Sequence, residues 1–471
     1  MYDEFRFLNV FFIRISMSNR FKIFQKNISS FCVIISMDKI SELNGGRIID
    51  TRLLTQVQSS QILENGSRCV PAFVDDICHR CGTRVQTDIF KGKKVYCRGC
   101  LNFGKIYLDD QLIITNNEVT FGQQSFPLTW RGQLTEMQRT ISMKLIESFY
   151  QSEDHLVWAV TGAGKTEMIF PLIAEAIKND KRIAICSPRI DVCIELFPRI
   201  KAAFENTSIA LFHGRSDEEY HCTQIMIATV HQLIRFEQAF DVLIIDEVDS
   251  FPLAGDIMLE RAIEKSKKPN GMNVYLSATP PLHLLNRVDA KNLNLSKMYQ
   301  RFHQHPLPEP KTHLLFKPSN FTKINPRLKF RIEQLVKLHE KFMLFFPRIP
   351  EMLEFESNLR KSFPDLKMVS VSSKDADRIN KVGMFRNDEV QAILTTTILE
   401  RGVTFHQITV IVIDADAKEF SKTALIQIAG RAGRSKDSPD DEVHFYYNYY
   451  SRQIKLACDE IKSVNKQARK K

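Results

Sequence analysis

The chain has 471 residues, 44% of them hydrophobic and 25% charged, with a formal net charge of +10. That length exceeds what one hydrophobic core accommodates, and a prior of roughly 150 residues per domain gives about three units. The composition excludes a disordered chain, no low-complexity tract or repeat interrupts it, and the positive charge points to a polyanionic partner (nucleic acid or an acidic membrane leaflet) or to simple solubility.

The apolar run from Phe5 to Ser16 is interrupted by Arg6 and Arg14 and follows Asp3 and Glu4, so it makes a poor signal peptide and is too short to span a bilayer. No transmembrane helix is expected. Met37 opens the stretch Met37-Asp-Lys-Ile-Ser-Glu, and a translation start there would leave residues 1–36 outside the natural protein. Of the ten cysteines, four form two Cys-x-x-Cys pairs and six are scattered in apolar or strand-like contexts, which fits a reducing cytoplasm.

Residues 1–70 read as an N-terminal extension, and 37–70 carry no clear pattern. Residues 71–125 hold the cysteine pairs: Cys78-His-Arg-Cys81, fifteen residues, then Cys97-Arg-Gly-Cys100. Four thiolates at that spacing match a closed tetrahedral zinc site whose metal is structural, since no coordination position is left for a substrate. Gly82 and Gly99 permit tight turns, and Arg80, Lys93 and Arg98 can offset the thiolate charge. Lys91, Lys93, Lys94 and Arg98 could touch DNA phosphates or form a solvated basic face.

From Leu156 onward, short Val/Ile/Leu runs alternate with amphipathic stretches: Leu156 to Val160, Arg182 to Cys186, Ile225 to Ala228, Val242 to Ile245 and Asn273 to Leu276. Buried parallel strands with crossover helices are implied. The stretch from Pro306 to Pro326 holds five of the chain's 18 prolines and reads as a linker. A second set follows: Phe342 to Phe346, Leu366 to Val371, Ala392 to Thr396, Val410 to Ile413 and Glu442 to Tyr446. The expected architecture is therefore α/β, with two tandem parallel-sheet domains at 126–304 and 327–471, joined by a linker at 305–326 and preceded by the small four-cysteine zinc module.

The first of these strands runs into Thr161-Gly162-Ala163-Gly164-Lys165-Thr166. Glycines there let backbone amides approach phosphates, Lys165 reaches the β and γ phosphates, and Thr166 can ligate Mg²⁺. The motif's first position is Ala159 instead of Gly. Asp246-Glu247-Val248-Asp249 then follows an apolar run, 81 residues after Lys165. A strand end is where parallel sheets place ligands, so Asp246 is expected to hold Mg²⁺ and Glu247 to activate the attacking water. In the second domain lies Gln427-Ile-Ala-Gly430-Arg431-Ala-Gly-Arg434. Arg431 and Arg434, three apart and so on one face of a helix, could reach the γ-phosphate when the domains close.

In order, the Lys165 loop, Ser187-Pro-Arg189, Ala228-Thr229-Val230-His231, Asp246 to Asp249, Ser277-Ala-Thr, Thr395 to Thr404 and Gln427 to Arg434 resemble the motifs of superfamily 2 helicases. The resemblance covers about residues 130–450 and implies two RecA-like motor domains that use ATP and Mg²⁺. It also implies adenine reading by Gln138 in Leu134-Thr135-x-x-Gln138, and DNA-phosphate contacts from Ser187, Arg189, Thr229, Thr397 and Gly402. With the four-cysteine module in front of the motor, and with Asp-Glu-Val-Asp-Ser-Phe-Pro and Thr-Ile-Leu-Glu-Arg-Gly-Val-Thr, the chain is most similar to the ComFA competence family.

That family resemblance implies a DEAD/DEAH-type, DNA-dependent ATP hydrolase that drives transforming single-stranded DNA through a membrane channel. It would sit in the cytoplasm or peripherally on the cytoplasmic face of the membrane, with cytoplasmic competence proteins or a second copy of itself as partners. Two other readings stay open: a replication-restart helicase similar to PriA, whose cysteines however lie within its second motor domain, and a nucleotide-gated DNA-binding subunit that does not translocate.

Overall fold

The computed structural model describes residues 42–85, 94–214, 220–315, 323–401, 405–433 and 441–469. Met37, Lys91, Lys93, Gly402 and Arg434 lie outside the described residues. The N-terminal unit carries β1 (Ile48–Asp50), β2 (Arg68–Pro71), the two-stranded hairpin β3 (Phe73–Val74) and β4 (Ile77–Cys78), and β5 (Gln111–Ile114). Strand β5 pairs antiparallel with both β1 and β2. One sheet thus joins residues on both sides of position 70, including the stretch where the sequence carried no pattern. Strands of three and four residues give too few repeats to display alternation.

The first motor sheet comprises β6 (His155–Ala159), β7 (Ile183–Ser187), β8 (Ile209–Phe212), β9 (Ile225–Thr229), β10 (Phe240–Asp246), β11 (Lys267–Ser277) and β12 (Asn294–Met298). Its order is β12-β6-β11-β10-β7-β9-β8, with every neighbouring pair parallel. Central strands such as β7 and β9 are buried along their whole length. Alternate residues feed opposite faces: Ile183, Ile185, Ile225 and Ile227 enter one core, while Ala184, Cys186, Met226 and Ala228 enter another. The second of these cores also contains all four paired cysteines, so the cysteine module and the first of the two sheet domains share a hydrophobic interior. The two edge strands add to the expected set: β8 is apolar but only four residues long, and β12 is broken by polar residues.

The second motor sheet holds β13 (Lys311–Leu314), β14 (Lys341–Phe345), β15 (Met368–Val371), β16 (Ala392–Thr395), β17 (Ile408–Val412) and β18 (Val443–Tyr447). All neighbours in the order β13-β18-β17-β14-β16-β15 are parallel. Here the structure corrects the sequence reading at one place. The proline-rich stretch is not all linker, since Lys311 to Leu314, which contains no proline, adds an edge strand beside β18. An edge strand needs hydrogen bonds on one side only, which tolerates flanking prolines. Two RecA-like parallel-sheet domains and a cysteine module are therefore present, and no helix among the described residues is long and apolar enough to cross a membrane.

Candidate nucleotide cleft and metal centre

Strand β6 ends at Ala159 and the chain turns through Gly162 and Gly164, at φ +78° and +71°, into the helix starting at Lys165. Glycine is favoured at both, since a left-handed backbone disfavours side chains. At Gly164 a Cβ would also lie 2.5 Å from Gln138 Nε2. Lys165 Nζ donates to the carbonyls of Ala159 (3.2 Å) and Val160 (3.4 Å), holding the ammonium inside the loop. Thr166 is buried beside it.

Gln138 is buried in the helix Glu136–Gln151. Its Oε1 accepts from Thr135 N (2.9 Å), its N–H donates to Thr135 Oγ1 (3.3 Å), and its Nε2 donates to Ala163 O (2.9 Å). The capping box fixes the Gln138 amide at the start of the helix, and the bond to Ala163 O ties that helix to the glycine-rich loop.

Asp246 ends β10, whose parallel neighbours β7 and β11 place it centrally in the sheet. Burial raises its carboxyl pKa, and the Lys165 charge opposes that. Glu247 takes φ +55°, an uncommon conformation for a side-chain-bearing residue, and burial pushes its carboxyl up to about 7. Its Oε2 is buried without a hydrogen-bond partner among the described residues. A carboxylate so placed has lone pairs ready for a water proton.

The opposite wall comes from the second motor domain. The helix Lys422–Ala429 ends before Gly430, so Arg431 projects from a turn and not from a helix face. Arg431 is therefore off the helix face expected of it, and Arg434 lies outside the described residues. Gly430 abuts the first domain, where a Cβ would lie 2.0 Å from Thr161 Oγ1. Arg431 is buried and its Nε donates to Glu400 O (2.9 Å). Gln138, the Thr161–Thr166 loop, Asp246, Glu247, Gln427 and Arg431 all line one cleft of about 510 Å³, together with Trp130 and Arg199.

Of the expected DNA contacts, Ser187 and Thr229 are buried at the ends of β7 and β9. Arg189 and Thr397 are partly exposed. Arg189 Nη2 donates to Ile398 O in the short helix Thr397–Leu399, bridging the two motor domains. Two groups went unnoticed in the sequence. Asp249 accepts from Arg401 across the cleft, and Arg301 reaches the arginine turn. Arg401 lies inside a motif already singled out, which was the available signal; Arg301 had none.

In the N-terminal unit, the four cysteine sulfurs lie within 4.8 Å of one another and all four residues are buried. Cys78 Sγ is 3.8 Å from Cys100 Sγ, and Cys81 Sγ is 3.4 Å from Cys97 Sγ. Tetrahedral zinc–sulfur bonds of about 2.3 Å put ligands about 3.8 Å apart, so the set fits zinc. Arg80 Nε donates to Cys100 Sγ (3.3 Å). From the motor domain, Lys265 Nζ donates to the carbonyls of His79 and Arg80 inside the first knuckle.

Residues 131–282 match the family described as Type III restriction enzyme, res subunit, and residues 328–436 match the helicase conserved C-terminal domain. The competence protein ComFA of Streptococcus pneumoniae (strain ATCC BAA-255 / R6) is 39% identical over 399 residues, covering 83% of this chain and 90% of that one. ComFA of Bacillus subtilis (strain 168) is 39% identical over 401 residues, covering 83% and 86%. Among solved structures, S. cerevisiae Dbp5 bound to RNA and ADP BeF3 superposes with TM-score 0.53 at 13% identity, over 70% of this chain and 88% of that one, a likeness of fold.

Proposed function

The chain belongs to the ComFA family of competence-associated, superfamily 2 helicase-like proteins, and from that premise we propose that it is an ATP-driven translocase that pulls transforming single-stranded DNA across the cytoplasmic membrane. The observation that carries the reading is the single cleft in which the Lys165 loop and Glu247 of one sheet face Arg431 of the other. Such an arrangement makes hydrolysis depend on domain closure.

In this reading, residues 126–304 and 327–471 are the two motors, and 71–125 the zinc module, behind an extension at 1–70. Lys165 and the loop amides grip the phosphates, and Gln138 reads the adenine. Thr166 and Asp246 hold Mg²⁺, which supplies charge neutralisation. Glu247 takes a proton from the water that attacks the γ-phosphorus, the bond to the ADP oxygen breaks, and Arg431 with Arg434 offsets the developing charge. The activity is then that of a DEAD/DEAH-type DNA-dependent ATP hydrolase. Arg189, Thr397, Ser187, Thr229 and Gly402 are assigned to the DNA backbone, with the two partly exposed side chains as first contacts.

A membrane channel, cytoplasmic competence proteins and a second copy of the chain are the partners this role needs, at the cytoplasmic face of the membrane. The test is ATPase activity against single-stranded DNA. Turnover should rise far more with single strands than with duplex, regardless of sequence, and DNA affinity should fall with salt at a log–log slope of about 0.7 per neutralised phosphate. Disruption of the gene should abolish transformation and spare replication. A disrupted strain that takes up DNA normally but fails after fork damage would instead support the replication-restart reading.

A further inference from the structure

Three consecutive residues after β12 touch both halves of the cleft. Phe302 N donates to Gly162 O (2.9 Å), so the segment is bonded to the phosphate loop itself. The Arg301 side chain passes along that loop: a Cβ built on Gly162 would lie 3.7 Å from its Cγ and Cδ. At its far end, Arg301 Nη1 donates to Ala432 O (3.0 Å) and also to Gly433 O, both in the arginine turn of the second motor domain. His303 Nε2 adds a contact of 3.0 Å to Gly433 O.

Among the described residues Arg301 is the largest fully buried side chain, at 1% exposure. Burying a guanidinium is costly unless it is well bonded, and it gains little where a Leu or Met would fill the same space. Both bonds, however, come from Nη1, which lies one bond farther along the side chain than a lysine ammonium would, so a lysine here falls short of the two adjacent carbonyls and a methionine has no donor for them. The two carbonyls it holds are those immediately after Arg431, within the turn that presents that residue to the cleft.

We infer that Arg301 is a positioning residue that clasps the arginine turn to the phosphate loop, so that the nucleotide held by the first domain sets the placement of Arg431 in the second. The inference rests on the ATPase reading above. Arg301 touches neither phosphate nor water in this role. It acts through the peptide groups of Ala432 and Gly433, and its effect belongs to the closed, transition-state arrangement and not to ground-state nucleotide binding.

The experiment compares wild type with Arg301→Lys, Arg301→Met and His303→Ala in the full-length protein. It reads kcat and KM for ATP with single-stranded DNA present, and affinities for ADP and for ADP–aluminium fluoride. Expected are a fall in kcat of about tenfold or more for both Arg301 variants, KM within about threefold of wild type, and loss of affinity confined to ADP–aluminium fluoride. His303→Ala should shift the same quantities in the same direction by less.

Wild-type kcat in Arg301→Lys and Arg301→Met overturns the clasp. So does equal weakening of ADP and ADP–aluminium fluoride, which would mean a packing role only. If both Arg301 variants fail to fold, His303→Ala decides, and an unchanged kcat there also overturns it. A wild-type protein with no ATPase would instead overturn the functional reading on which the clasp depends.

Discussion

Arg401 Nη2 donates to Asp249 Oδ2 at 2.6 Å with both side chains almost fully buried, at 3% and 4% exposure, so one ion pair joins the end of the Asp246–Asp249 motif to the loop following β16. Asp249 also accepts from Ser277 Oγ (2.7 Å) and Thr279 Oγ1 (2.6 Å). Burial opposes its ionisation, yet the Arg401 guanidinium and the hydroxyls outweigh that and hold the carboxyl below its usual range. Two motifs of the first motor domain and one of the second thus meet on one carboxylate.

Removing either partner alone leaves a buried charge unmatched, which costs about 3–5 kcal/mol. Arg401→Met and Asp249→Leu should each lower stability by that order, and the double variant should lose much less than their sum. A double-mutant cycle by chemical denaturation checks it; additive losses would mean the two charges do not act as a pair.

Glu247→Gln should bind ATP as wild type does and lose about two or more orders of magnitude in turnover, because only proton abstraction is removed. Lys165→Ala should lose nucleotide binding itself. Nucleotide titration beside steady-state ATPase separates the two, and wild-type turnover in Glu247→Gln would assign the base elsewhere.

Purified protein should carry one zinc, and Cys97→Ser or strong chelation should remove it. Ligation energy in such sites is largely folding energy, on the order of 10 kcal/mol, so the N-terminal unit should loosen. Because the cysteines share a core with the first motor domain, the loss should also lower that domain's melting temperature. Metal analysis and thermal unfolding test both statements; a metal-to-protein ratio near zero in wild type would remove the zinc assignment.

His155 sits on β6 with Nδ1 2.9 Å from Ser148 Oγ and Nε2 2.9 Å from Ser296 Oγ, and burial pushes its pKa down to about 4. Between that value and the unfolded value near 6.5, the unfolded chain binds the extra proton. Stability from this residue is therefore present above about pH 6.5 and is lost as pH falls toward 4, by roughly 3 kcal/mol. Denaturation midpoints at pH 7 and pH 5 should diverge less in His155→Gln than in wild type. An equal pH slope in the two proteins would assign the acid sensitivity to other groups.

What the sequence by itself determined is whatever chemistry is local to consecutive residues. A phosphate loop needs glycines and a lysine within one turn, a zinc knuckle needs two cysteines three apart, and a buried parallel strand needs an unbroken apolar run. Those requirements are legible because the backbone already brings the groups together. The fold class followed from the same signals, with short or amphipathic edge strands β8, β12 and β13 as the exceptions.

Tertiary structure alone decided which groups meet across the cleft. Asp249 and Arg401 lie 152 residues apart, and Arg301 lies 131 residues from Ala432. No spacing rule links such pairs, because their approach is set by how two separately folded sheets dock. The helix Lys422–Ala429 ends at a glycine cap, Gly430, which is a local stop signal, but only the docked first domain requires a glycine there, since a Cβ would lie 2.0 Å from Thr161 Oγ1.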